Sequence, residues 1–131
     1  MEDNFKLEII SPEKILFSES VKMVSVPAYE GDMGILKGHI SIISFLRPGK
    51  VKIKKNDENF EEFFFEDGTI EFVENNLTIL SSSAISLKNI NKEFLDNLFK
   101  TTQDSLNNKD ITDHDRYILN HKLEALNEIR V

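Results

Sequence analysis

Phe60-Glu61-Glu62-Phe63-Phe64-Phe65-Glu66-Asp67-Gly68-Thr69-Ile70-Glu71-Phe72-Val73-Glu74-Asn75-Asn76-Leu77-Thr78-Ile79-Leu80 carries three short runs of strand-forming residues divided by two turn signals. Asp67-Gly68 is a tight-hairpin dipeptide, and Asn75-Asn76 plays the same part before Leu77 to Leu80. The same grammar extends toward the N-terminus. Phe5-Leu7-Ile9 alternates with Lys6 and Glu8, the period-two pattern of a strand with one wet face, and Ser11-Pro12 closes it. Ile15 to Phe17 and Val21 to Ala28 follow, the second limited by Pro27, which cannot donate to a ladder. After a glycine-rich loop come Ile40 to Leu46, a turn at Arg47-Pro48-Gly49, and Lys50 to Lys54. Eight or more short strands at this spacing predict an antiparallel sandwich or barrel.

Beyond about Ser86 to Ile90 the period changes. Asn91 is placed to cap a helix, with Ile90 before it and Leu95 set as a hydrophobic staple. Phe94, Leu95, Leu98, Phe99 and Leu106 fall on one broad face, and Asn107-Asn108 ends the run. Thr112 caps a second helix, with Asp113 and Asp115 where the helix dipole favours negative charge and Ile118, Leu119, Leu123, Leu126 and Ile129 on its apolar face. The reading is a β-rich domain over residues 1–87 and a two-helix antiparallel hairpin over 88–131. Such a hairpin buries little alone, so it must lie on the β domain or on another protein.

The chain has 131 residues, enough for one compact unit with a small appendage. Sixteen basic against 23 acidic residues give a net charge of −7, which disfavours nucleic acid and anionic lipid and points to protein partners. The absence of cysteine removes disulfides and thiolate chemistry and fits a reducing compartment. No apolar run approaches the roughly 20 residues that span a bilayer. Met1-Glu2-Asp3-Asn4 lacks the positive region of a signal peptide, so a soluble cytoplasmic protein is expected. Ten of the twelve aromatic residues are phenylalanine, which packs well and brings no polar handle for chemistry.

The candidate sites are few. In Glu30-Gly31-Asp32-Met33-Gly34-Ile35-Leu36-Lys37-Gly38-His39, a phosphate cradle would need Gly-Lys followed by Ser or Thr at a helix start, and Glu30 and Asp32 would repel phosphate. Glycines bending a loop between strands is the simpler reading. Glu30, Asp32 and His39 lack a second cluster that would complete an acid/base or metal set. His114 and His121 are two helical turns apart, about 10 Å, too far to ligate one ion together. No catalytic residue, metal site or cofactor is expected. Lys50, Lys52 and Lys54 share one face of a strand, with Lys55 beyond them, and read as a solvated or edge-protecting strip. Phe63 and Phe65 point one way and Phe64 the other, so one side is core. Phe64 is then either a partner contact or covered by the C-terminal helices, and intramolecular cover is favoured slightly.

The glycine stretch also resembles the E-G-x-x-G-x-x-x-G-H signature of the epsilon subunits of bacterial F-type ATP synthases. Arg47 to Ile53, Gly68 to Val73, Leu77 to Leu80, Ala84-Ile85 and Ala125 to Val131 are similar to successive segments of that family, in order along nearly the whole chain. The resemblance implies a ten-stranded antiparallel β-sandwich followed by a helical hairpin, in a non-catalytic subunit of the rotor's central stalk. It implies a sandwich that binds the gamma subunit and rests on the c-ring, peripheral to the cytoplasmic face of the bacterial inner membrane. By position, Asp32 matches a c-ring contact with Glu30 beside it, and Ser11, His39 and Ser44 match positions at the gamma contact.

Some members also bind ATP on the folded hairpin through an I/L-D-x-x-R-A pattern. Here Ile90-Asn91-Lys92-Glu93-Phe94-Leu95 has Asn91 where the acid belongs and Phe94 where the arginine belongs, which removes the cation for phosphate. An extended hairpin that reaches the alpha and beta subunits to block ATP hydrolysis would be expected to carry positive charge. From Ser86 onward there are seven basic and eight acidic residues, with only Arg116, Lys122 and Arg130 basic in the second helix, so the expected inhibition is weak. The competing reading, a free-standing sandwich that recognises a peptide or sugar, would want an aromatic-lined groove. The chain has no Trp, and only Tyr29 and Tyr117 are polar aromatics.

Overall fold

The computed structural model describes residues 3–130, with the side chain of Arg130 outside the described set. Ten strands come first among the described residues: β1 Phe5–Ile10, β2 Ile15–Val21, β3 Met23–Ala28, β4 Gly31–Leu36, β5 Ile42–Leu46, β6 Gly49–Lys54, β7 Phe60–Phe65, β8 Gly68–Val73, β9 Asn76–Leu80 and β10 Ile85–Ser86. A 3₁₀ turn at Leu87–Asn89 leads to α1, Lys92–Leu106, and α2, Asp113–Arg130.

One hydrogen-bonded path runs β10-β7-β6-β3-β5-β8-β9-β1-β2, with β4 added on β3. The β3–β5 step consists of the single pair Ala28–Leu46, so the path folds over there into two layers, β10-β7-β6-β3-β4 and β5-β8-β9-β1-β2. Between them lies a core drawn from both: Val24, Ile35, Val51, Phe63 and Phe65 meet Leu7, Ile9, Phe17, Phe72 and Ile79. Phe17 of β2 meets Phe63 of β7 edge to face at 6.1 Å, joining the two layers near the β2 and β10 ends of the path.

Three expectations change. The sandwich is not wholly antiparallel, because β1 pairs with β9 in parallel, Leu7 opposite Leu77 and Ile9 opposite Ile79. Turn residues announce only antiparallel neighbours, whereas a parallel pair needs a long crossover, here everything between Ile10 and Asn76. Second, Asp67-Gly68 makes a turn but no hairpin. β7 pairs with β6 and β8 with β5 and β9, so the chain crosses between layers at this point, as it does again at Arg47-Pro48. Gly68 has φ 153°, and a Cβ there would lie 2.9 Å from Leu80 O, so glycine serves the crossing itself. Third, the glycine stretch is not a loop. Gly31–Leu36 pairs along β3, with Met33 and Ile35 turned toward the core and Asp32 and Leu36 outward, and glycine content hid this alternation. The β8–β9 turn does form, shifted by one residue: Glu74 and Asn75, both at positive φ, are its central pair.

The helices form as their caps dictate. Asn91 accepts from Phe94 N at 2.8 Å and Thr112 Oγ1 from Asp115 N at 3.0 Å. The hairpin lies folded on the outer face of the first layer, where Phe64 joins Leu95, Ala125 and Leu126 in a second apolar cluster. Phe64 is 1% exposed, so intramolecular cover is its role. Ile90 packs against that cluster with Leu95, as the staple requires. Lys122, on α2, ion-pairs with Glu66 in the β7–β8 crossing and ties the hairpin to the sandwich at a second point.

Candidate functional site

The β3–β4 turn, Tyr29-Glu30, forms a corner at one end of the sandwich. Ser44 Oγ donates to Glu30 Oε1 and Oε2 at 3.1 and 2.9 Å, fastening the turn to β5. Arg47 ties its base: Nη2 donates to Asp32 Oδ1 at 2.8 Å and Nη1 donates to Ala28 O. Tyr29 N donates to Phe45 O and Arg47 N to Pro27 O, so the backbone is pinned as well. The Asp32 side chain is 76% exposed while that of Arg47 is 15% exposed, leaving the carboxylate outward on a well-anchored base. An exposed pair of this kind contributes about 0–1 kcal/mol to stability, so Asp32 is dispensable for folding.

The other residues singled out from the sequence are scattered. Ser11 sits at the end of β1, where its Oγ donates to Lys14 O at 3.1 Å in a local turn. His39 lies beyond β4, its ring edge-on to Phe72 at 5.7 Å and its Nδ1 2.7 Å from Ile40 O. Phe72 pairs with Ile42, at the opposite end of the second layer from Ile10 and Leu46. Ser44 is 5% exposed beneath Glu30, so it orders the corner and presents no surface. The structure therefore joins Glu30 with Ser44 and Asp32 with Arg47, and leaves Ser11 and His39 apart from them. Arg116 is exposed on α2, Lys122 is engaged by Glu66, and the Arg130 side chain lies outside the described residues. Asn91 is occupied as a helix cap, and Phe94 stands partly exposed beside it.

Two features escaped sequence reasoning. On the outer face of the second layer the pairs Phe45–Thr69, Thr69–Leu80, Leu80–Ile10 and Ile10–Ile15 line up across five strands. Phe45, Leu80 and Ile15 in that row are 61, 49 and 57% exposed, with Ile43 two residues from Phe45 also outward. Apolar side chains gathered on one sheet face, here with Thr69 between Phe45 and Leu80, are the kind of surface that protein partners cover. The run Ile40 to Leu46 holds the signal, but without register its inward and outward residues cannot be separated. The second feature is an aromatic contact between corner and helix. The Tyr29 ring lies 6.3 Å from those of Phe45 and Tyr117 and 6.4 Å from that of His114.

Shifted titration belongs to surface pairs at the far end of the sandwich. The Lys22 ammonium is held above its ordinary range by its hydrogen bond to Asp57, whose carboxyl the same bond holds below its own. Lys55 is raised by its hydrogen bond to Glu61. Among the described residues no helix is long and apolar enough to cross a membrane.

A family model described as the ATP synthase, Delta/Epsilon chain, beta-sandwich domain matches residues 4–87. The chain belongs to the ATP synthase delta/epsilon family. A protein named ATP synthase epsilon chain from Pelagibacter ubique is 46% identical over 96% of this chain and 97% of its own length. The protein of the same name from Parvibaculum lavamentivorans is 32% identical over 99% of this chain and 98% of its own. In fold, the chain matches a chain in the Euglena gracilis mitochondrial ATP synthase, OSCP/F1/c-ring assembly, with a TM-score of 0.79 at 18% identity, covering 98% of this chain and 82% of that one. A chain from the Tetrahymena thermophila mitochondrial ATP synthase central stalk and c-ring gives a TM-score of 0.64 at 12% identity, covering 96% of each. Delta/epsilon family membership leaves the free-standing recognition module without support.

Proposed function

We propose that this delta/epsilon chain is a non-catalytic rotor subunit of a proton-translocating F-type ATP synthase, joining the gamma subunit to the c-ring in the central stalk. It works peripherally, at the cytoplasmic face of the bacterial inner membrane. The observation that carries this is the 46% identity, across 96% of the chain, to a protein named ATP synthase epsilon chain. Rotor work needs firm contacts rather than an acid/base set, and the chain offers two. The corner presents Glu30 and the exposed Asp32 carboxylate on a base fixed by Arg47, suited to the polar loops of a c-ring. The apolar row from Phe45 to Ile15 supplies buried area for gamma, with Ser11 at its β1 end and His39 at the far end of the same layer. Ser44 contributes by holding Glu30 in place.

The hairpin has a lesser role. Lys122 is engaged by Glu66 while the hairpin is folded, so an inhibitory reach by Arg116, Lys122 and Arg130 toward alpha and beta would first have to break that pair. Asn91 and Phe94 occupy the two positions at the start of α1 where the ATP pattern has its acid and its arginine. The test is co-purification with gamma and c-ring from the assembled enzyme. Phe45→Asp with Leu80→Asp is expected to lose gamma, and Asp32→Lys to lose proton pumping coupled to ATP hydrolysis, both with the sandwich folded. Retention of gamma by the double variant, or unchanged pumping in Asp32→Lys, would count against the respective assignment.

A further inference from the structure

The corner that carries Glu30 and Asp32 is also a docking point for α2. Tyr29, which opens the turn and is 39% exposed, has its ring in contact with Tyr117 and His114 of α2 and with Phe45 of β5. Tyr117 is braced in turn by His121, one helical turn on, with ring centroids 4.4 Å apart. Past Tyr29, Asp32 and Arg47 share one cleft with His121, Glu124 and Glu128 of α2. The helix therefore touches the corner at its aromatic residue and flanks it at its ion pair. The hairpin has seats apart from these contacts, its apolar cluster around Phe64 and its ion pair at Lys122.

We infer that docking of the hairpin and engagement of the Glu30–Asp32 corner are positively coupled, with Tyr29 as the positioning residue that both share. The bonds that fasten the turn hold its backbone, the Glu30 carboxylate and the Asp32–Arg47 pair, and leave the Tyr29 ring to its aromatic neighbours. With α2 docked, the Tyr29 ring packs on both β5 and α2, which adds to those bonds in holding Glu30 and Asp32 in one arrangement and lessens the ordering that a partner must impose on binding. With α2 gone, Tyr29 loses two of its three ring neighbours and the turn samples more conformations. Coupling of this kind is reciprocal: whatever grips Glu30 and Asp32 in the ordered arrangement holds the hairpin down by the same factor. In the function proposed above that partner is the c-ring, and this part of the inference rests on that reading. The chain then reports ring contact to its own hairpin, and a hairpin that leaves loosens the grip below.

Hydrogen exchange on the full-length protein tests the internal half without any ring. Tyr117→Ala, a change at a partly exposed helix position, is expected to speed exchange of the Tyr29 and Arg47 amides by about tenfold, the size of a typical coupling between sites. The Ile70, Phe72 and Ile79 amides of the second layer should stay unchanged. Tyr117→Phe, which keeps the ring, should restore wild-type exchange at the corner. Unchanged corner exchange in Tyr117→Ala overturns the inference, as does a uniform acceleration across both layers. In the assembled synthase, Tyr117→Ala should weaken retention on the c-ring in the same direction as Asp32→Lys. If Asp32→Lys is without effect there while the exchange result holds, the ring assignment fails and the coupling stands; if Asp32→Lys weakens retention and corner exchange does not respond, the reverse is true.

Discussion

Phe64 shows what a single side chain contributes here. Its neighbours Phe63 and Phe65 face the sandwich core, and it faces outward into a cluster with Leu95, Ala125 and Leu126. Strand alternation in Phe63-Phe64-Phe65 made that division legible, and the polar frame of Glu62 and Glu66 made outward burial something to explain. Full burial of a phenylalanine is worth about 2 kcal/mol in transfer alone, and truncation leaves a cavity besides, so Phe64→Ala should cost about 3–5 kcal/mol where the surroundings stay in place. Because the lost contacts are those of the hairpin, the expected result is faster exchange of the Leu95 and Leu126 amides with the Ile9 and Ile79 amides still protected. Equal loss in both sets would mean that the two clusters open together. Ser44 illustrates the opposite lesson. Matching by position gave it a surface role, but only the register of β5 reveals that it points inward to Glu30.

At the scale of elements, the helix ends were readable because a cap is a local device: one side chain, one amide, three residues apart. Asn91→Ala removes the bond to Phe94 N and is expected to destabilise α1 by about 1 kcal/mol, seen as faster exchange at the Phe94 amide and little change in β6 or β7. A shift spread evenly over the sheet would assign the asparagine a wider part. Strand existence was also readable from alternation, yet strand partnership was not. Asp67-Gly68 and Glu74-Asn75 look alike as turn chemistry, and one crosses between layers while the other closes a hairpin. The difference lies in what surrounds Gly68, the Leu80 carbonyl and the Leu46 and Ser81 side chains, all distant in sequence. For the same reason β4 was missed, since its strand character depends on β3 beside it more than on its own glycine-rich composition.

Among the described residues the molecule has two apolar clusters of unequal size, a sandwich core that involves no helix residue and a smaller one shared by sandwich and hairpin. A fragment ending at Leu87 should therefore fold, with Phe64 and the outer face of β6 and β7 uncovered and a dye that binds apolar surface taken up more strongly than by the full chain. A fragment without cooperative unfolding would show that the hairpin is part of the fold. Rebuilt into the synthase, the same fragment is expected to leave the rate of ATP hydrolysis close to that of the full chain, in keeping with the hairpin's near-neutral charge. A several-fold rise would give the hairpin a strong inhibitory role. The broad plan, sandwich then hairpin, was legible because each part has its own period. The corner's contact with Tyr117 was not, because it joins residues 88 positions apart whose local contexts carry no sign of each other.

The parallel pairing of β1 with β9 bears on the order of events at the ribosome. β1 and β2 can join as soon as both have emerged, but the other edge of β1 stays open until synthesis has passed Leu80. The nascent chain thus carries an unpaired strand edge, with Leu7 and Ile9 unprotected, through most of its production. Completion comes with β9, and the hairpin is translated only afterwards, so α2 meets a finished surface. A pause in translation shortly after Leu80 would shorten the interval in which that edge is open to strands of neighbouring chains.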